Sequence, residues 1–258
     1  MTAAPLTMPA PAAGRPLSPS QVSQFLDCQA RWYYSHVAGL PDPPTGSLAL
    51  GKALHHAAAI YLNCRSQGDM PTAAEIGESF GATLKDELRA AELRPDEDPA
   101  ALLTDGLAML AMWCGQIAPA IEPSAVELQV DGQIGHQHVR GIVDVIDTHG
   151  VVIDLKTSTK KPGAISASYT LQLTTYGMLA GKRECKLITL ARTRTPSWCQ
   201  HSFTLTPNHT QYAATLYDMA AEAMASGLYL PNRGSNLCSR KYCAFWRECQ
   251  AEYGGCVD

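Results

Sequence analysis

A mixed central β-sheet flanked by helices, of the α/β class, is what this 258-residue sequence predicts. Three observations carry that reading. From Val126 the apolar period changes to that of strands, giving β-rich runs at 126–130, 138–146 and 151–156 separated by turn residues. A helical period returns from about Ser166 to Leu179, and two more strands follow near 186–192 and 199–205. Most of the chain before Val126 is periodic as helix, so a helical insertion precedes the sheet. With 46% hydrophobic and 17% charged residues, the chain has enough apolar surface for a core, which excludes global disorder.

In chain order, MTAAPLTMPAPAAGRP at 1–16 reads as a disordered tail, because it lacks the charged and apolar regions of a secretory signal. Order begins at Leu17, where Ser18 suits an N-cap, Pro19 the first helical position and Gln21 a capping box. The first helix is expected to run through Phe25, Cys28, Trp32 and Tyr33 and to end in the Pro/Gly-rich loop 39–46. Further helices are expected over Leu48–Arg65, Ala73–Leu93 and Pro99–Ile117, and a last one from Thr206-Pro207 to about Ser226. The segment after Pro231 is short, basic and Cys-rich. The expected organisation is one domain over 17–256: a helical part (17–118), an α/β core (119–206) and a C-terminal helix with the cysteine segment (207–256). No run approaches ~18 uninterrupted apolar residues, so no membrane span is expected. Without an export signal the nine cysteines are expected to be reduced, in the cytoplasm.

The net charge of −4 argues against a nucleic-acid partner, until it is divided along the chain. Nine acidic residues against three basic ones fall between Glu75 and Asp105, a solvated helical face. From Leu155 to Arg194 the balance reverses: Lys156, Lys160, Lys161, Lys182, Arg183, Lys186, Arg192 and Arg194 face Glu184 alone. The tail adds Arg233, Arg240, Lys241 and Arg247. Phosphate attraction depends on the charge lining a groove, so the sum excludes only indiscriminate coating of nucleic acid.

One motif is a decoy. Gly46–Lys52 nearly spells a phosphate-binding P-loop, but Ala53 stands where the Mg²⁺-holding Ser or Thr is required, and no strand precedes it. A second motif carries chemistry. Asp154 and Lys156 share one face of their strand, with Leu155 on the other. A hairpin loop at Thr148-His149-Gly150, with Gly150 left-handed, sets Asp144 opposite Asp154. Two such carboxylates repel unless a cation sits between them, and hard oxygen donors suit Mg²⁺ or Mn²⁺. A lysine beside them can orient or deprotonate a water, or meet the charge growing on a phosphate, which together describes phosphodiester hydrolysis. His55 or the adjacent His56 could add a nitrogen ligand, and Glu127 a further acid. Gln172 and Tyr176, at i and i+4, point to one side of their helix.

Cys238, Cys243 and Cys249 lie within twelve residues. No Cys-x2-Cys pair typical of zinc occurs here, whereas iron–sulfur clusters accept freer spacing given four thiolates. The fourth could be Cys28 or Cys256; Cys64, Cys114, Cys185 and Cys199 have the apolar neighbours of buried thiols.

Taken in order, these residues resemble the RecB-type branch of the PD-(D/E)XK nucleases, in particular members with a four-cysteine iron–sulfur cluster, among them phage and bacterial single-domain exonucleases and CRISPR adaptation nucleases. SerProSerGlnValSerGlnPheLeuAspCys resembles the opening helix and first cluster cysteine, Cys28. GlyLysAlaLeuHis resembles the Gly-x3-His motif and selects His55; GlyIleValAsp and IleAspLeuLysThr resemble the two central motifs. GlnLeuThrThrTyr resembles the Gln-x3-Tyr helix. The resemblance implies a restriction-endonuclease-like core and metal ligands His55, Asp144, Asp154 and the Leu155 carbonyl. It also implies Lys156 as catalytic lysine, with Gln172 and Tyr176 positioning DNA or the site. Cys28, Cys238, Cys243 and Cys249 would hold a structural [4Fe–4S] cluster. The four-residue gap between Cys238 and Cys243, where two are common, keeps Cys256 as a rival ligand. The activity implied is an Mg²⁺- or Mn²⁺-dependent exonuclease on DNA single strands or ends, in recombination, repair or phage DNA processing. No helicase motor is present in this chain, so unwinding would need a helicase, recombination or CRISPR partner protein. The rival readings are a non-catalytic iron–sulfur adaptor that binds DNA and a zinc-stabilised α/β protein.

Overall fold

The computed structural model describes residues 8–10 and 14–257. Its helices are α1 (Pro19–Asp27), α2 (Gln29–His36), α3 (Gly46–Ser66), α4 (Ala73–Arg89), α5 (Pro99–Met112), α6 (Ala167–Ala180), α7 (Pro207–Ala225) and α8 (Trp246–Tyr253). Its strands are β1 (Pro123–Ile134), β2 (Gln137–Asp147), β3 (Val152–Ser158), β4 (Glu184–Ala191) and β5 (Ser197–Thr204). They form one sheet in the order β1-β2-β3-β4-β5, in which β2–β3 and β4–β5 pair antiparallel and β3–β4 parallel. The parallel pair needs a crossover, and α6 supplies it. The mixed α/β class expected from the sequence is therefore the one observed.

The described chain divides into two compact units. One takes the chain up to Asp42, the hairpin tip Asp131–Arg140 and everything from Asn208 on; the other comprises Pro43–Val130 and Gly141–Pro207. In the second, strand alternation sends Ile153 and Leu155 into a core with Leu54, Phe80, Leu102, Met109 and Trp113 of the helical insertion. Val152 joins a separate core with Val143, Leu187 and the α6 residues Leu173 and Tyr176. The helical stretch Pro99–Ala120 is long and apolar enough to cross a bilayer, but its Leu102, Met109, Leu110, Trp113 and Ile117 are buried in the first core.

The near-P-loop resolves into something else. The N-terminus of α3 is filled by a carboxylate: Gly46 N and Ser47 N donate to Glu97 at 2.9 and 2.7 Å, with Ser47 Oγ at 2.6 Å and Arg94 N at 3.0 Å. A negative group at a helix N-terminus offsets the unpaired N–H groups and the helix dipole, so Glu97 stands where a phosphate would. The expected helix to Leu93 stops at Arg89 for the same reason, since Glu92 N donates to Pro44 O at 2.9 Å and turns the chain back to α3. The helix expected to reach Ile117 is α-helical only to Met112 and continues as a π-turn over Trp113–Ile117.

In the first unit the expected continuous first helix breaks at Cys28, which is extended (φ −156°, ψ 108°). The break is compensated from residues 230–232: Ala30 N donates to Leu230 O at 3.3 Å, Leu230 N to Gln29 Oε1 at 2.9 Å and Asn232 N to Cys28 Sγ at 3.4 Å. Ser18 caps α1 by accepting from Gln21 N at 3.3 Å, while the reciprocal half of the expected box is not formed. Trp32 packs edge-on to Phe25 at 5.2 Å, and Tyr33 stacks on Tyr229 at 5.0 Å. Of the expected tail, residues 1–7 and 11–13 lie outside the described residues. Met8 is buried, its N–H donating to Gly227 O at 2.9 Å.

Burial works against the Glu97 charge, but the hydrogen bonds from Arg94, Ser47 and Gly46 hold its carboxyl below the usual range. A depressed carboxyl pKa contributes stability that is present above the unfolded value and lost as pH falls through the folded one. Glu97→Gln is therefore expected to cost about 1 kcal/mol at pH 7 in urea unfolding. The deficit should shrink progressively as pH falls below about 4 and be gone only once pH has passed through the depressed folded pKa.

Candidate active site

The site begins with a turn. Asp147 Oδ1 accepts from His149 N at 3.0 Å and Val151 N at 2.8 Å, while Gly150 N donates to Asp147 O at 2.9 Å. Gly150 takes φ 79°, the left-handed geometry that a side chain resists. The resulting register pairs Val145 with Ile153 and Ile146 with Val152, so Asp144 comes opposite Asp154, as expected. The Leu155 N–H donates to Asp144 Oδ2 at 2.7 Å. Asp154 is 1% exposed. Lys156 Nζ lies 2.7 Å from its Oδ2 as an ion pair. Neither Asp154 oxygen accepts a well-directed hydrogen bond among the described residues.

His55, on α3, brings Nδ1 to 3.4 Å from Asp144 Oδ2, whereas His56 is exposed. Burial raises the Asp154 pKa and Asp144 raises it further, against the pull of Lys156. For Asp144 burial also acts upward, but His55, Lys156 and the Leu155 N–H outweigh it and lower the pKa. His55 is opposed by burial and raised by Asp144, and Lys156 is opposed by burial and raised by both carboxylates. Burial and Asp144 likewise raise Glu127, which the two histidines offset. Glu127 holds φ 51°, the one non-glycine residue with positive φ among those described, so it is not an ordinary strand residue.

Gln172 Nε2 donates to Tyr176 Oη at 3.0 Å, so the two α6 residues do share a side. Tyr176 is buried, and its ring explains a glycine the sequence did not. A Cβ on Gly141 would stand 2.5 Å from Tyr176 Cε1. The donor set suits a hard cation: a buried carboxylate with no well-directed hydrogen bond, a half-buried one opposite it, and an imidazole nitrogen. Among the described residues no group of three or more His, Cys, Asp or Glu side chains is arranged to hold a metal ion, either at the carboxylates or at the cysteines.

In the other unit, Cys28, Cys243 and Cys249 pack in one cluster with Ala30, Tyr34 and Phe245. Burial pushes the Cys249 thiol up to about 11; Arg233 lowers it, and Cys28, Cys243 and Cys238 raise it. Burial opposes the Arg233 charge, while a hydrogen bond to Cys238 and the thiols of Cys249, Cys238 and Cys28 favour it. Arg233 and the thiols of Cys28, Cys238 and Cys249 thus act on one another, and Cys256 is exposed. Of the four other thiols expected to be buried, Cys185 is; Cys64, Cys114 and Cys199 are half-buried. Glu97, Gly141, Asp147 and Arg233 escaped sequence reasoning. For Asp147 a signal was present, since Asp opening a turn before Gly accepts from its own backbone.

Gly141→Ala is expected to cost about 1–3 kcal/mol by overpacking. Gly163→Ala, where nothing lies within 4 Å, should be near neutral by comparison. Pairing Gly141→Ala with Tyr176→Leu in a double-mutant cycle should recover at least about 0.5 kcal/mol.

Comparisons with known proteins agree with this geometry. The family model of the PD-(D/E)XK nuclease superfamily matches residues 16–250. A candidate exonuclease from Eubacterium rectale is similar in structure, with TM-score 0.55 and 13% identity over 94% of this chain and 89% of that one. SSO0001 is 16% identical over 89% of this chain and 96% of its own, with a TM-score of 0.38, too distant a likeness to argue from. No curated protein matches the chain. With a family match spanning nearly its whole length and the paired carboxylates and lysine in register, the chain belongs to the PD-(D/E)XK nuclease superfamily.

Proposed function

We propose that this nuclease cleaves DNA in an Mg²⁺- or Mn²⁺-dependent reaction, as an exonuclease on single strands or ends. The observation that carries the proposal is the buried Asp154 facing the half-buried Asp144, with Lys156 on the same face as Asp154. His55, Asp144, Asp154 and the Leu155 carbonyl are the ligands we assign to the cation. A divalent cation there supplies Lewis-acid activation of a water and charge neutralisation at the phosphate. The remaining work falls to the chain. Burial of Asp154 keeps competing water from its oxygens. The Leu155 N–H fixes one Asp144 oxygen. Lys156 brings a positive charge to where negative charge grows on the phosphate. The Gln172–Tyr176 pair packs beside them as positioning residues. Exonuclease action is supported by the description of the Eubacterium rectale protein, whose fold this chain shares.

We further assign Cys28, Cys238, Cys243 and Cys249 to a structural [4Fe–4S] cluster of the RecB-type branch. The packing of Cys28, Cys243 and Cys249 into one cluster supports it. Thiolates of a bound cluster carry negative charge, which a neighbouring guanidinium offsets. Joining Cys28 to Cys238 closes a long loop, so the cluster stabilises by restricting the unfolded chain.

Oligonucleotides labelled at either end, single-stranded or duplex, test both assignments with one preparation. The expected result is shortening from an end with Mg²⁺ or Mn²⁺ and none in EDTA. Asp154→Ala should be inactive, and Lys156→Ala slower by about 10²–10³-fold. Both variants should keep about four irons per chain and the visible cluster absorbance, which Cys249→Ser loses. DNA bound but uncut by the wild type would favour the non-catalytic adaptor, and zinc in place of iron would overturn the cluster.

A further inference from the structure

We infer that the loops following β3 and β4 form the phosphate track of this site, and that the basic residues at the opposite end of the sheet take no part. The inference rests on the reading of the chain as a DNA nuclease and adds where its substrate strand runs. Eight basic residues lie between Leu155 and Arg194, and the topology sorts them. Because β3 and β4 are parallel, with Val152 beside Cys185 and Ser158 beside Ala191, residues after both strands emerge at one end. Lys160 and Lys161 follow β3 there, and Arg192 and Arg194 follow β4; Lys160, Lys161 and Arg194 are exposed. The two loops are tied together by Arg192 N donating to Ser158 O at 2.7 Å. Asp105 holds the Arg192 guanidinium at 3.8 Å, leaving the three exposed cations as the track.

Lys182 and Arg183 precede β4 and lie at the other end, where Lys182 sits beside Gly150 of the β2–β3 turn. Helix α6 runs counter to the strands. Its N-terminus opens at Ser166, just past Lys160 and Lys161, and its C-terminus closes on Lys182, whose N–H donates to Gly177 O at 2.8 Å. The positive end of the helix dipole therefore adds to the Lys160–Lys161–Arg194 end, and the negative end faces Lys182. Lys156 points to the same end: its Nζ lies 5.5 Å from the ring centre of Tyr169, in the first turn of α6. Ligand sites outside the carboxyl ends of parallel strands follow the same topology. Lys160 is four residues beyond Lys156, at most about 13 Å along the chain, a span of a few nucleotides.

The test is binding of a fluorescein-labelled 20-mer of thymidine, followed by anisotropy in EDTA across a salt series, with the full chain. For Lys160→Ala/Lys161→Ala/Arg194→Ala the affinity should fall at least about tenfold and the log–log salt slope should flatten by about 2, roughly 0.7 per lost phosphate contact. Lys182→Ala/Arg183→Ala should follow the wild type, and Lys160→Arg/Lys161→Arg/Arg194→Lys should restore both affinity and slope, separating charge from folding. If the wild type binds and cuts DNA but the triple alanine variant keeps its slope, the track is overturned and the nuclease reading stands. If the wild type neither binds nor cuts the strand, both fall.

Discussion

The register of one hairpin is the constraint on which the candidate chemistry depends. Asp147 and Gly150 close the turn between β2 and β3, and a slip of one residue would send Asp154 and Lys156 to the opposite face. In the register that forms, the buried Asp154 faces the half-buried Asp144, in a place where Asp154 alone would be costly to ionise. Lys156, His55 and the Leu155 N–H offset part of that cost, and the unsatisfied Asp154 oxygens leave the remainder for a cation. The surrounding packing keeps this frame. Ile153 and Leu155 anchor β3 in the core under the helical insertion, Val152 anchors it on the α6 side, and Gly141 lets the Tyr176 ring approach β2.

The cysteine-bearing unit is held by different means. Here Tyr33 stacks on Tyr229, Trp32 packs tilted against the same ring, and hydrogen bonds from residues 230–232 to Cys28 and Gln29 link segments some two hundred residues apart in sequence. Such contacts are entropically expensive to form from an unfolded chain, and the cluster we propose would offset part of that cost. The extended backbone at Cys28 is what this arrangement demands, since a continuous helix could not offer its N–H groups to a distant segment.

How much of this was legible depends on whether the signal was local. The strand periods, the left-handed Gly150 and the Asp144–Asp154 pairing could be read directly, because alternation and turn chemistry act over a few residues. The break at Cys28 was hidden by an apolar period that continues through it, and the compensating donors and acceptors lie at Leu230 and Asn232. Glu97 is fifty residues from the helix end it caps, so Gly46–Lys52 kept the look of a phosphate loop that the fold fills with a carboxylate. Gly141 reads as one more glycine in a strand until the Tyr176 ring is seen against it. The four cysteines were identifiable from spacing and resemblance, while the influence of Arg233 on Cys28, Cys238 and Cys249 had no local mark.

The central claim is that the hairpin register builds a cation site from Asp144 and Asp154. Mn²⁺ titration followed by electron paramagnetic resonance, in the absence of DNA, tests it without relying on turnover. Specific binding is expected of the wild type, with loss of that site in Asp154→Asn and its retention in Lys156→Ala. Wild-type Mn²⁺ affinity in Asp154→Asn would contradict it.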